Sequence, residues 1–352
     1  MALHWAWSFD VRGTNQQYND AGWSVPGGWV LVQAFTRQPL SGFGGADYSA
    51  LRNASGTFYM TPVFPKGTLT DGKFKFHVYA SSWNTSQYFA LTDSTGTLTL
   101  LALYPATTSG ASTAFNVYSQ EGGSLILRGT TTGTLNTNTW HTIEIRFKPN
   151  GATGEIQVSF NEGTPESIVA AGAVGATSPW GRFTSNGISG INTYTNMLTA
   201  WDNASDTVAN RWVATLRPIS DVVVGSYLNE LGSGTNVYQS VNEAVPSPTN
   251  YATTTTALDT IKFGVNTSNI DPTWAPTAID GLSVVCMARG ELALNSARPV
   301  LGKAASADVL GTVQTTDANS SFGVNDVFTV QADAAAWSVV GINAGQYGMR
   351  TT

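Results

Sequence analysis

The chain has little charge. Asp, Glu, Lys and Arg make up 11% of its 352 residues, against roughly 25% in an average soluble protein. It has a single cysteine, Cys286, which excludes an intrachain disulfide and a cysteine-based zinc site. No apolar run approaches about 18 residues, so no helical membrane span is expected. The opening MALHWAWSFDVRG lacks the basic and apolar regions of a secretory signal. Acidic residues outnumber basic ones 23 to 17, giving a net charge of −6. Neither nucleic acid nor an anionic membrane gains from counterion release against such a chain, so both are excluded as partners.

Small polar residues fill the gap, with 36 glycines and 11% aromatics. That composition suits a rigid all-β protein and does not suit disorder. Five Asn-X-Ser sequons, led by Asn53 and Asn84, are what a chain rich in Asn and Ser produces by chance.

The organising stretch is Thr139–Asn161, TWHTIEIRFKPNGATGEIQVSFN. Ile143, Ile145 and Phe147 alternate with polar residues, and so do Ile156, Val158 and Phe160. Two period-two runs around Pro149-Asn150-Gly151 predict an antiparallel hairpin with one apolar face. A hairpin alone is marginal in water, so a second sheet must cover that face.

Upstream, short strands are expected at His4–Phe9, Trp29–Phe35, Thr57–Thr61, Lys73–Tyr79, Ser86–Thr92, Leu98–Leu103, Ala114–Ser119 and Ser124–Arg128. Even spacing with turn signals between means a sandwich or barrel. Trp212–Leu216 reads as a strand stopped by Pro218, and a domain boundary is placed there. Beyond it, strands are expected at Val222–Tyr227, Val237–Val241, Thr260–Val265 and Leu282–Arg289, then a short turn or helix over Val339–Gln346 and a last strand from Tyr347.

Residues 1–200 resemble the concanavalin-A-like, laminin-G-like jelly roll. The likeness rests on Trp140-His141-Thr142-Ile143-Glu144-Ile145 and Gly154–Gly163, with Gly56-Thr57-Phe58 and Phe89-Ala90-Leu91 upstream. Residues 210–352 resemble the C-terminal region of tailed-bacteriophage structural proteins. Leu216-Arg217-Pro218, Tyr238–Glu243, Asp259-Thr260-Ile261 and Ala335-Ala336-Trp337-Ser338 through Gly348 carry it. Ser338 stands for that family's Thr, Ala332-Asp333 where a Pro often stands, and Asn192-Thr193 for its paired Asp. The first resemblance implies an all-β concanavalin-A-like jelly-roll sandwich over residues 1–215, followed by a second, smaller β-sandwich over 216–352. The second implies a virion component that acts through contacts with copies of itself and with other virion proteins.

Residues that carry chemistry are few. Glycan hydrolysis needs two carboxylates on one cleft; Glu144 has no partner and reads as half of a cross-strand ion pair. A lyase would need an Arg, an Asn or Gln, a His and a Tyr on one sheet, and His77, with Tyr79, Lys73 and Lys75 on the polar side of its strand, comes nearest. His141 points inward by parity with Ile143, as a core histidine bonded to a carbonyl. Cys286, within an apolar strand, reads as a small hydrophobe. No catalytic residue is assigned, and the chain is expected not to be an enzyme. Asp202 and Asp206, in Asp202–Asp206, are candidate Ca²⁺ ligands, although one such loop falls short of six to eight oxygens. Trp83, Trp180 and Trp201, beside Asn and Ser in turns, are candidate ligand-binding residues. They would stack on a host-surface glycan or anchor a subunit interface.

Overall fold

The computed structural model describes residues 3–7, 23–24, 29–35, 48–53, 58–108, 110–172, 174–188, 191–202, 213, 215–242, 249–269, 278–290, 296–316 and 321–352. The chain divides into two compact units, most of the first ending at Val213 and most of the second running from Ala214 to Thr352. The sequence places that boundary two residues later.

The first unit is a jelly-roll sandwich built of antiparallel strands. Its larger sheet runs, strand beside strand, Glu166–Gly172, Gly154–Phe160, Trp140–Lys148, Gly72–Ala80, Thr193–Asp202, Tyr48–Asn53, Trp29–Phe35. Leu3–Trp7 also pairs with Thr193–Asp202. The second sheet runs Ser124–Thr130, Phe115–Glu121, Thr99–Pro105, Phe89–Thr92, Arg182–Asn186, Phe58–Met60.

The central hairpin forms as its alternation predicts, with Ile143 opposite Phe160, Ile145 opposite Val158 and Phe147 opposite Ile156. Its turn is a 3-10 segment at Gly151–Thr153, where Gly151 has φ +47°. Ile143, Ile145, Phe147, Ile156 and Val158 are fully buried. What covers them is the inner face of the second sheet, through a continuous layer of rings. Phe74 stacks on Phe183 at 4.5 Å, Phe76 lies 5.0 Å from Phe89, and Phe160 lies 5.6 Å from Phe115. Burying each such ring is worth about 2–3 kcal/mol against leaving it wet, so the two layers hold each other.

The second unit is built on a six-stranded antiparallel sheet. Its strands run Ser220–Val223, Thr260–Gly264, Gly345–Thr351, Ser296–Lys303, Val309–Leu310, with Gln314–Thr315 also on Ser296–Lys303. A two-stranded ribbon, Leu282–Ala288 with Ser321–Phe328, supplies Val284 and Phe328 to a core shared with Leu301, Trp337, Ile342 and Tyr347. Ser338 caps the helix Val339–Ala344 by accepting from Gly341 N, and Trp337 Nε1 donates to Phe328 O at 2.9 Å. The Ala-Ala-Trp-Ser motif is therefore the hub of this core.

Sequence expectations fail in several places here, among them Val222–Tyr227, where the strand is Ser220–Val223 and ends before the turn at Gly225. Val237–Val241 is not a strand but a 3-10 helix over Val237–Ser240. The Asp221 carboxylate, from a strand distant in sequence, accepts from Val237 N and Tyr238 N, and Asn236 enters at φ +55°, so a non-local cap overrides strand propensity. Conversely, Ser296–Lys303 is a strand that Pro299 hides, because proline reads as a breaker. Of the expected strand Trp212–Leu216, the described residues Val213, Thr215 and Leu216 belong to no strand.

Candidate functional site

Alternation along the second sheet of the first unit decides what faces outward. In Phe115–Glu121 the buried Phe115, Val117 and Ser119 point to the core, which leaves Asn116 and Tyr118 outside. Leu101 and Leu103 pair with Ser119 and Val117, so Tyr104 shares the outer face beside Asn116. Tyr88 precedes Phe89, an inward residue opposite Leu103. Three tyrosines thus form a row across two neighbouring strands and the residue that leads into a third. Tyr88 and Tyr104 lie 5.6 Å apart at 47°, and Tyr104 and Tyr118 lie 5.4 Å apart, edge to face. All three are half-buried.

Thr85, Tyr104, Pro105, Asn116, Tyr118 and Leu125 line a cleft of about 300 Å³ at this row. No charged side chain is among them. Asn116 Oδ1 accepts from Thr130 Oγ1 at 2.7 Å, which fixes the amide and turns its NH₂ group away from that bond. Thr85 and Thr108 share a hydroxyl contact of 3.2 Å. Burial pushes the Tyr88 hydroxyl above its ordinary value, against a bond with Thr184, and burial with the neighbouring Tyr88 and Tyr118 does the same for Tyr104. These phenols stay neutral at physiological pH and can donate as well as accept. Apolar ring surface beside an amide and hydroxyls matches a pyranose, which has C–H faces and hydroxyl edges.

The residues singled out from sequence lie elsewhere. Trp83 and Trp180 are fully buried and Trp201 is 1% exposed, so none offers a ring to a ligand. Trp83 packs edge-on to Phe115 at 5.4 Å. Trp180 packs edge-on to Phe64 at 5.8 Å and donates from Nε1 to Phe147 O. A turn exposes backbone, but it can still aim its side chain inward to close the end of a sandwich. Trp201 belongs to a strand, opposite Lys73.

His77 alternates to the polar side as expected, yet that side is not wet. His77 is 2%, Lys73 4% and Lys75 1% exposed. His77 does sit between Thr142 and Asn196, with Tyr79 opposite Tyr194, so the register assembles a His, an Asn and tyrosines on one face. Lys73 pairs with Glu144 at 3.1 Å, the cross-strand ion pair expected of Glu144, and Lys75 pairs with Glu162 at 3.2 Å. Buried ammonium groups need such partners.

His141 Nε2 donates to Asn136 O at 2.9 Å, and its Nδ1 accepts from Asn161 Nδ2 at 3.1 Å. Burial lowers its pKa, outweighing both hydrogen bonds. The unfolded chain takes up the proton first, so stability is full above about 6.5, the unperturbed value, and is lost as pH falls through the depressed folded value. Urea midpoints should therefore fall between pH 7 and pH 5, and fall less in His141→Gln.

Cys286 packs against the second unit's core, and desolvation pushes its thiol up to about 12. Asp202 faces His4 Nε2 at 3.7 Å, and Asp206 lies outside the described residues. Among the described residues no three His, Cys, Asp or Glu side chains gather as a metal site.

The signal for the tyrosine row was present but incomplete. Tyr118 sits between inward Val117 and Ser119, so parity alone turns it out. Which strands lie side by side, and hence that Tyr88, Tyr104 and Tyr118 meet, is non-local.

No family model matches the chain, and no curated protein matches it significantly. Solved structures do. The T. cruzi calreticulin globular domain is 10% identical, with a TM-score of 0.40, over 58% of this chain and 89% of that one. The carbohydrate-binding module CBM66 from Bacillus subtilis is 11% identical, with a TM-score of 0.29, over 49% and 94%. The CBM2 module of the evolved Dit of Lactobacillus casei BL23 phage J-1 is 14% identical, with a TM-score of 0.30, over 57% and 95%.

Proposed function

We propose that this protein binds a glycan through the row Tyr88, Tyr104 and Tyr118, and does so as a β-sandwich component of a tailed-phage virion. The observation that carries the glycan reading is the cleft of about 300 Å³, with two tyrosine rings, an amide and a hydroxyl at its walls. The action is recognition and assembly, not turnover. The virion reading is supported by the anchor residues of 210–352, the Ala335-Ala336-Trp337-Ser338 hub among them. It is also favoured by large apolar side chains left open in the second unit, Leu231 at 84% and Val340 at 77% exposed, which suit contacts with copies of the chain or with other virion proteins.

Retention of the full chain on host-envelope polysaccharide tests the glycan reading. Tyr104→Ala and Tyr118→Ala should each weaken it about tenfold, the worth of one stacked ring near 1.4 kcal/mol. Melting temperatures should hardly move, since both rings face outward. If both variants are retained as well as the parent, the cleft is not the site. Release of new reducing ends from the polymer would contradict the binding-only reading.

A further inference from the structure

The six-stranded sheet of the second unit has two faces of different character. Leu301 and Tyr347 are cross-strand partners and point into the core. Arg298 and Arg350 lie three residues from them, so parity places both on the opposite face, directly opposite each other across the strand pair. Thr260 is the partner of Arg350 on its other side, and Lys262 shares the face through its pairing with Gly348.

Directly opposed residues hold their Cβ atoms about 5 Å apart, and like charges there repel. An acidic chain has carboxylates to spare for such a pair, 23 against 17 basic residues. None is used. The Lys262 ammonium is neutralised by Asp308 at 2.8 Å, whereas neither guanidinium has a hydrogen-bond or ion-pair partner among the described residues. Arg298 and Arg350 are only half-exposed, and the Nε–H of each is shielded from solvent without an acceptor. Two shielded donors and two adjacent positive charges with no anion are explained by an anion that the site is built to take.

We infer that Arg298 and Arg350 form an oxyanion-binding site on the face of this sheet opposite the Leu301 and Tyr347 side chains, suited to a phosphate group. Two planar forks present more donors than a single carboxylate can satisfy, while a tetrahedral phosphate has the oxygens for both and a charge near −2 to match. The site does not involve the tyrosine cleft, and it stands or falls separately.

Calorimetric titration of the full chain with sodium phosphate, against sodium chloride at equal ionic strength, tests it. Saturable one-to-one phosphate binding is expected, weakened at least about tenfold in Arg298→Gln and in Arg350→Gln, the scale of a lost charge-assisted bond. Arg298→Glu supplies the missing counter-charge from within. It should raise the melting temperature without phosphate and abolish the rise that phosphate gives the parent. Glycerol 3-phosphate binding more tightly than inorganic phosphate would identify a phosphomonoester on a larger molecule, and the reverse order a free ion; both orders support the site. No heat beyond that of chloride, or unchanged binding in the double Gln variant, overturns it.

Discussion

Trp180→Ala is expected to destabilise the first unit by about 3–5 kcal/mol, the range for emptying a buried aromatic site. The indole is fully buried, lies edge-on to Phe64 and is tied to Phe147 O. Its backbone bridges to Leu69 in both directions, at 2.7 and 2.9 Å, so the strand ends around it cannot collapse freely into the void. At about 2–4 °C per kcal/mol for a unit of this size, the first thermal transition should fall by roughly 6–20 °C. Below that transition, glycan retention should match the parent. A stable variant that had lost retention would return Trp180 to the surface role its turn suggests.

The second large effect is expected in the other unit. Asp259 is 9% exposed and accepts from Ser226 N at 3.0 Å, Thr254 Oγ1 at 2.7 Å and Thr260 N at 3.0 Å. One carboxylate thus ties the start of the Thr260–Gly264 strand to the turn at Gly225, in a chain that has no disulfide to do so. Asp259→Ala removes the shared acceptor of three part-buried donors, each bond to a carboxylate being worth about 1.5–3 kcal/mol where water is excluded and less where it is not, so a loss of roughly 2–3 kcal/mol is expected. Gly225→Ala should act on the same contact. Gly225 has φ +58°, and an added Cβ would strike the Asp259 carboxylate and crowd Thr260 O. Thermal melts that leave both variants near the parent would show that this carboxylate is dispensable.

The hairpin was legible because its evidence is local: alternation fixes which side of Ile143–Phe147 is dry whatever lies above it. The same rule put Lys73, Lys75 and His77 on the polar side correctly. It misjudged them only because a polar side can be buried when Glu144 and Glu162 supply counter-charges. Trp83 and Trp180 were misread for another reason. In a turn there is no period, so nothing local says which way the ring points. The sites depend on neighbours far apart in sequence. Tyr104 and Tyr118 meet only because Thr99–Pro105 pairs with Phe115–Glu121, and Arg298 faces Arg350 through a register that joins distant segments.

In the proposed function the sandwich is a scaffold whose outer tyrosines, not its buried tryptophans or its His77 face, meet the glycan. Amide hydrogen exchange of the full chain, with and without saturating host-envelope polysaccharide, separates these surfaces most directly. Slowed exchange confined to residues 84–88, 101–106 and 115–119 is the result predicted. Protection of Gly72–Ala80 and Thr193–Asp202 instead, with the tyrosine strands unchanged, would contradict it.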